Sequence, residues 1–152
     1  MHASDAFERL DPTDTAQLVA WMQTRYGIAP ACVAAHQFWR RPAGKAIWIA
    51  AATFEPPPHL SCEALGVMVA RKMPPGGKLT SVFLQRFGQS ATRNVVRLQG
   101  DRLARFLRRE AVFVGESPEG YQIVFAGERV LGAGFVTNGQ LRSELPKAWA
   151  VT

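Results

Sequence analysis

Cysteine is scarce in this 152-residue chain, which holds only Cys32 and Cys62. Two are too few for a disulfide framework, and the expectation is a pair of buried free thiols in a reducing compartment. Long apolar runs are missing as well. The longest, Ala46-Ile47-Trp48-Ile49-Ala50-Ala51-Ala52, falls far short of the ~20 residues that cross a bilayer, so no membrane partner is expected. The opening Met1-His2-Ala3-Ser4-Asp5 has no basic stretch and no apolar core, which argues against an export signal and for a cytoplasmic protein. Internal repeats and low-complexity segments are absent.

The residues that carry catalysis are thin on the ground. His2, His36 and His59 with two lone cysteines give no metal-ligand spacing, so no metal site is expected. Cys32 and His36 are four apart, but on an extended segment they share a face without touching, and no acid stands near to orient the imidazole. Paired carboxylates are lacking: the acids are scattered, mostly at turns and caps, and none lies between Glu63 and Asp101. The spacing of a Walker-type phosphate loop is not present either. No catalytic residue and no cofactor is therefore expected.

What the chain does have is an ordinary globular composition, 47% hydrophobic and 20% charged, with its charge unevenly placed. Residues 1–70 carry five Arg/Lys against six Asp/Glu, while residues 71–152 carry thirteen against six. A basic half beside a neutral half points to a polyanion. Trp39 beside Arg40-Arg41, and Trp149 beside Lys147, are candidates for stacking on unpaired bases.

Local signals place the elements. Asp11-Pro12-Thr13-Asp14 starts a helix in which Leu18, Trp21, Met22 and Arg25 follow at i, i+3, i+4 and i+7 and which ends at Gly27. Cys32 to Trp39 reads as extended, Arg41-Pro42-Ala43-Gly44 as a turn, Lys45 to Thr53 and Ala64 to Ala70 as strands. Leu79, Phe83 and Phe87 form a helical stripe closed by Gly88. Ala91 to Leu98 reads as a strand with Arg93 and Arg97 on one side, and Asp101 as the cap of a helix Arg102 to Glu110. That helix turns Leu103, Phe106 and Leu107 inward, with Arg102, Arg105, Arg108 and Arg109 around the rest. From Ala111 the pattern is β only, with Asn138-Gly139 the clearest hairpin.

Two stretches, Gly77-Lys78-Leu79-Thr80 through Leu98 and Gly120-Tyr121-Gln122 through Leu145-Pro146-Lys147, are similar to a known family. They resemble the C-terminal region of some archaeal Sun-type RNA cytosine methyltransferases and their stand-alone relatives. That region carries a PUA domain, named for pseudouridine synthases and archaeosine transglycosylases. Met73-Pro74-Pro75-Gly76-Gly77-Lys78 likewise looks like the Pro-Gly-Gly-Lys loop with which those enzymes hold S-adenosylmethionine. A cofactor domain would need further βαβ units, and the chain has none to offer, so that stretch reads as a plain loop. The likeness covers residues 77–150 and, more faintly, Arg25-Tyr26-Gly27-Ile28 and Ile47-Trp48-Ile49.

The resemblance implies an α+β protein, with an N-terminal α/β pre-PUA domain over 1–88 packed on a C-terminal PUA-like pseudo-β-barrel over 89–152. It also implies binding of structured RNA, ribosomal or transfer RNA, along the first helix of the barrel and the neighbouring strands. The candidate contacts are Lys78, Arg93, Arg102, Arg105, Arg109, Arg142 and Lys147. Small ribosome-biogenesis factors share the layout, so a pre-ribosomal particle is one expected partner. A separate methyltransferase, for which this chain would supply RNA binding in trans, is another; a protein-interaction module with an acidic protein partner is the third reading. The family's Pro-Thr before the leucine-rich helix is Leu79-Thr80 here, and the methyltransferase core is absent.

Overall fold

The computed structural model describes residues 6–56, 64–74 and 78–151. Cys62, His2, His59 and the Pro75-Gly76-Gly77 loop fall outside them. Helix α1 spans Pro12–Tyr26. Asp11 caps it, accepting a hydrogen bond from the Asp14 amide at 2.7 Å, and Gly27 closes it. Its buried face is Leu18, Met22 and Tyr26. Burial raises the Tyr26 phenol above its ordinary pKa while the adjacent Arg25 pulls the other way, so the phenol keeps its proton at neutral pH.

Next comes a departure from the sequence expectation. Pro30–Val33 is a 3-10 turn, and the strand starts only at His36. Pro30 presets the helical φ of the first residue, and Ala31-Cys32 has no β-branched side chain to resist it. Cys32 is accordingly half-exposed beside the Ser90 hydroxyl, 3.2 Å away, and not a core thiol.

Strands β1 (Glu8–Arg9), β2 (His36–Arg40), β3 (Ile47–Ala51) and β4 (Val67–Ala70) form an antiparallel sheet in that order. Arg40 ends β2 and Arg41 opens the β2–β3 turn. Alternation sends Phe38, Ile47 and Ile49 into the core and Trp39 and Trp48, which are direct cross-strand partners, to the other side.

Helix α2 is Ser81–Phe87. Leu79, expected in the helix, instead bridges Ala70 of β4, because Thr80 caps the helix by accepting from the Phe83 amide at 3.1 Å. Leu79, Phe83 and Phe87 are all buried nonetheless.

The second sheet has the order β5-β7-β8-β9-β6, from β5 (Val95–Leu98), β6 (Val112–Phe113), β7 (Gly120–Ala126), β8 (Arg129–Thr137) and β9 (Gln140–Ser143). It curls into a half-barrel. The β8–β9 hairpin turns on Asn138 and Gly139 with φ of 52° and 74°, the two positive values a type I′ turn requires. β5 begins at Val95, four residues later than the pattern predicts, since Asn94 takes a φ of 53°. It pairs parallel with β7, which a β meander would not do. The crossover that permits this contains helix α3 (Gly100–Leu107), lying against β9 and β6. Asp101 does not cap α3: the helix starts at Gly100 and the carboxylate sits in its first turn, still beside the positive end of the dipole.

Four consecutive β7 residues, Gln122 to Phe125, are buried. One face of the strand meets α3 across the barrel interior, where Val124 packs with Phe106, Val136 and Leu141. Its other face, Ile123 and Phe125, joins a core shared with Leu18 of α1, Phe38 of β2 and Phe83 of α2. Burial on both faces explains why apolar residues run on here instead of alternating. Among the described residues no helix is long and apolar enough to cross a membrane.

Candidate nucleic-acid interface

The seat of α2 shapes the main candidate site. The Thr80 amide donates to the Val69 carbonyl at 2.8 Å, and the Thr80 hydroxyl to that of Met68, which fixes the helix start on the edge of β4. On its other side Ser81 Oγ accepts from the Ala133 amide of β8 at 3.0 Å. The contact is possible because residue 132 is glycine: a Cβ there would stand 2.4 Å from Ser81 Cβ.

Between this seam and the end of β9 lies a groove of about 570 Å³. Gly66, Val67 and Met68 border one side, the start of α2 forms the floor, and Glu144 to Lys147 form the far wall. Four cations meet there: Arg71, Lys78, Arg109 and Lys147, against one carboxylate among the described residues, that of Glu144. Lys78 Nζ lies 2.9 Å from Glu144 Oε2, both side chains one-third exposed. Such an exchangeable ion pair contributes little to stability.

Arg109 is held differently. It follows the C-cap of α3 with a φ of 64°, a conformation that suits glycine. Its Nη1 donates to the Leu145 carbonyl at 2.6 Å and its Nη2 reaches the Ser143 carbonyl at 3.5 Å, tying the groove's far wall to the end of α3. The backbone strain is offset by those bonds. Arg109→Gly should therefore leave the protein more stable than Arg109→Ala by about 1 kcal/mol, the reverse of the order inside a helix. Urea unfolding of the two variants checks this, and an alanine variant equal to or above the glycine variant refutes it.

Three of the seven residues picked from the sequence, Lys78, Arg109 and Lys147, thus share one groove. The other four do not line it. Arg93 donates to the Thr24 carbonyl at the end of α1, 3.0 Å away. Arg102 donates to the Phe113 carbonyl at 2.8 Å and borders a separate cavity of about 880 Å³, with Arg97, Asp101 and Glu128. Two cations there face two acids, so that cavity has no charge preference. Arg105 lies 3.9 Å from Glu110, which also takes Arg108 at 3.0 Å. Arg142, exposed on β9, is the cross-strand partner of Phe135. Arg71 went unnoticed in the sequence; its one signal is its place directly after β4, ahead of the proline-rich loop.

No group of three or more His, Cys, Asp or Glu that could hold a metal ion occurs among the described residues. Cys32 and His36 are separated by the end of the 3-10 turn, and His36 packs its ring edge-on to Phe87 at 4.9 Å.

Two family models match the chain. That of the methyltransferase RsmF PUA domain matches residues 93–151, and that of a family of unknown function, DUF7122, matches residues 2–66. No match is found among curated proteins. The stretch between the two, 67–92, contains β4 and α2 and with them Arg71 and Lys78, so the groove joins the matched PUA region to a segment outside it. With the curled sheet β5–β9 and the crossing helix α3 both inside or against residues 93–151, the fold and the match agree, and a PUA domain is in general an RNA-binding module. Over residues 93–151 the chain resembles the PUA region of the Sun-type RNA methyltransferases.

Proposed function

We propose that this chain is a non-catalytic, cytoplasmic RNA-binding protein that takes structured ribosomal or transfer RNA, in ribosome biogenesis or RNA modification, along the groove between β4, α2 and the end of β9. One observation carries this reading: Arg71, Lys78, Arg109 and Lys147 come from separate segments to one groove that, among the described residues, holds a single carboxylate. Arg71 and Lys147 are exposed on its rim and suit phosphate oxygens. Lys78 is half-buried against Glu144, a partner that a phosphate can replace. Arg109 acts by holding the wall in place, its fork already on two carbonyls.

The test is fluorescence anisotropy with a labelled RNA hairpin across a salt series. Binding should weaken steeply with salt, and Arg71→Glu with Lys147→Glu should lower affinity about 10–100-fold near 0.15 M salt. The same pair should flatten the log–log salt slope by roughly 1.5–2, with the circular dichroism spectrum unchanged. Affinity and slope equal to wild type would remove the groove from the reading.

A second reading, an RNA-binding subunit serving a methyltransferase in trans, is favoured by the match to a methyltransferase PUA domain over 93–151. Co-purification with a methyltransferase that survives nuclease treatment is its expected signature.

A further inference from the structure

The outward face of the N-terminal sheet is made of different material from its core face. Arg9, Trp39, Trp48 and Met68 lie in one row across it, joined by the register Arg9↔Trp39, Trp39↔Trp48 and Trp48↔Met68. The Arg9 guanidinium lies over the Trp39 ring, 5.6 Å from its centroid, and Trp39 is buried, so its ring is not open to a base as the sequence suggests. Phe7 meets Trp48 edge-on at 5.9 Å and itself carries Arg41 at 4.8 Å. Beneath the layer the Trp39 indole Nε1, buried, has no hydrogen-bond partner among the described residues.

Aromatic rings interleaved with arginines are what a single strand of nucleic acid requires: π-faces for bases, cations for the phosphates between them. A guanidinium stacked on a ring keeps its N–H edge for an oxygen acceptor. The Glu55 carboxylate, 3.5 Å from Arg9, belongs to an exposed pair that water and salt already weaken. The face is also continuous with the groove, since Met68 stands opposite Trp48 in the sheet and borders the groove as well.

We infer that this face binds an unpaired extension of the RNA whose structured part occupies the groove, the strand crossing Met68 onto Trp48, Phe7 and Arg9. The inference rests on the groove reading and is tested so that the two can fail separately. The probes are one RNA hairpin, bare and with an eight-nucleotide uridine extension at either end. In the wild-type protein the extension at one end should tighten binding about tenfold. Trp48→Ala should abolish that gain and leave the bare hairpin's affinity unchanged, while Trp48→Phe should keep most of it. If Trp48→Ala does not fold, Arg9→Glu, at a side chain 55% exposed, should abolish the gain in its place. An extension that adds nothing in the wild type, or a gain that persists in the folded variant, overturns the inference with the groove reading intact. Loss of bare-hairpin sensitivity to Arg71→Glu with Lys147→Glu overturns the groove reading instead. Equal displacement of the extension by an acidic peptide of the same charge would also overturn the inference, because it would leave charge without stacking.

Discussion

Gly132→Ala should lower the stability of the whole protein by roughly 3–5 kcal/mol, since backbone strain and overpacking act together at one site. Gly132 takes a φ of +149°, which L side chains rarely adopt. A Cβ there would lie 2.3 Å from Ser81 Oγ and 2.6 Å from Leu145 Cδ2, so helix α2 would have to lift from β8 and the end of β9 would have to shift. Both flank the groove. Ser81 is buried and its Oγ is the partner of the Ala133 amide, so lifting α2 also strands a backbone donor. Urea midpoints measure the loss. Adding Ser81→Gly to the variant should recover only the share due to the Ser81 clash, because the φ strain, the Leu145 contact and the unpaired Ala133 amide all stay. A single Gly132→Ala variant within about 1 kcal/mol of wild type would show that α2 does not depend on this close approach.

Phe106→Ala should be comparably severe, on the order of 3–5 kcal/mol. Phe106 is the one fully buried residue of α3, and it fills the barrel interior among Val96, Leu98, Val124, Val136 and Leu141. An eight-residue helix does not hold itself together in water, so its packing is its stability. Without that ring the helix loses its seat between β6 and β9, and Arg109 at its end loses the position from which it holds Ser143 and Leu145. RNA affinity should therefore fall along with stability in this variant, although Phe106 does not line the groove. Phe106→Leu, which keeps most of the apolar volume, should cost about 1–2 kcal/mol and restore binding. Equal losses for the two substitutions would mean that α3 is held by something other than this side chain.

Much of the local structure was legible because its causes are local. The Asp11 cap, Gly27 after α1, the Arg41-Pro42-Ala43-Gly44 turn and the Asn138-Gly139 hairpin each follow from backbone preferences of a few residues. The stripe Leu79, Phe83, Phe87 was legible as a buried stripe but not as a helix boundary, since Thr80 capping decided that. The departures have the same kind of cause. Cys32 to Trp39 looked extended until Pro30 wound its start into a turn, and Asp101 looked like a cap until the helix began at Gly100.

The candidate site was legible only in part. A cation excess in the later half is a property of the string, and Lys78, Arg109 and Lys147 were picked from it. That Arg93, Arg102, Arg105 and Arg142 lie elsewhere could not be read there. Their neighbours are the Thr24 and Phe113 carbonyls, Glu110 and Phe135, and carbonyls carry no residue signature.

By itself the order of residues determined the class of the molecule: a mixed α/β chain with a basic half, local caps and turns, and a likeness to PUA domains. Tertiary structure alone decided the parallel β5–β7 pairing, the seat of α2 on Gly132 and the meeting of Arg71 with Lys147. The physical reason is range. Caps and turns are settled within a few residues, whereas a groove walled by residues 66–68, 71, 78, 80–82, 109 and 144–147 exists only once distant strands have closed on a common core.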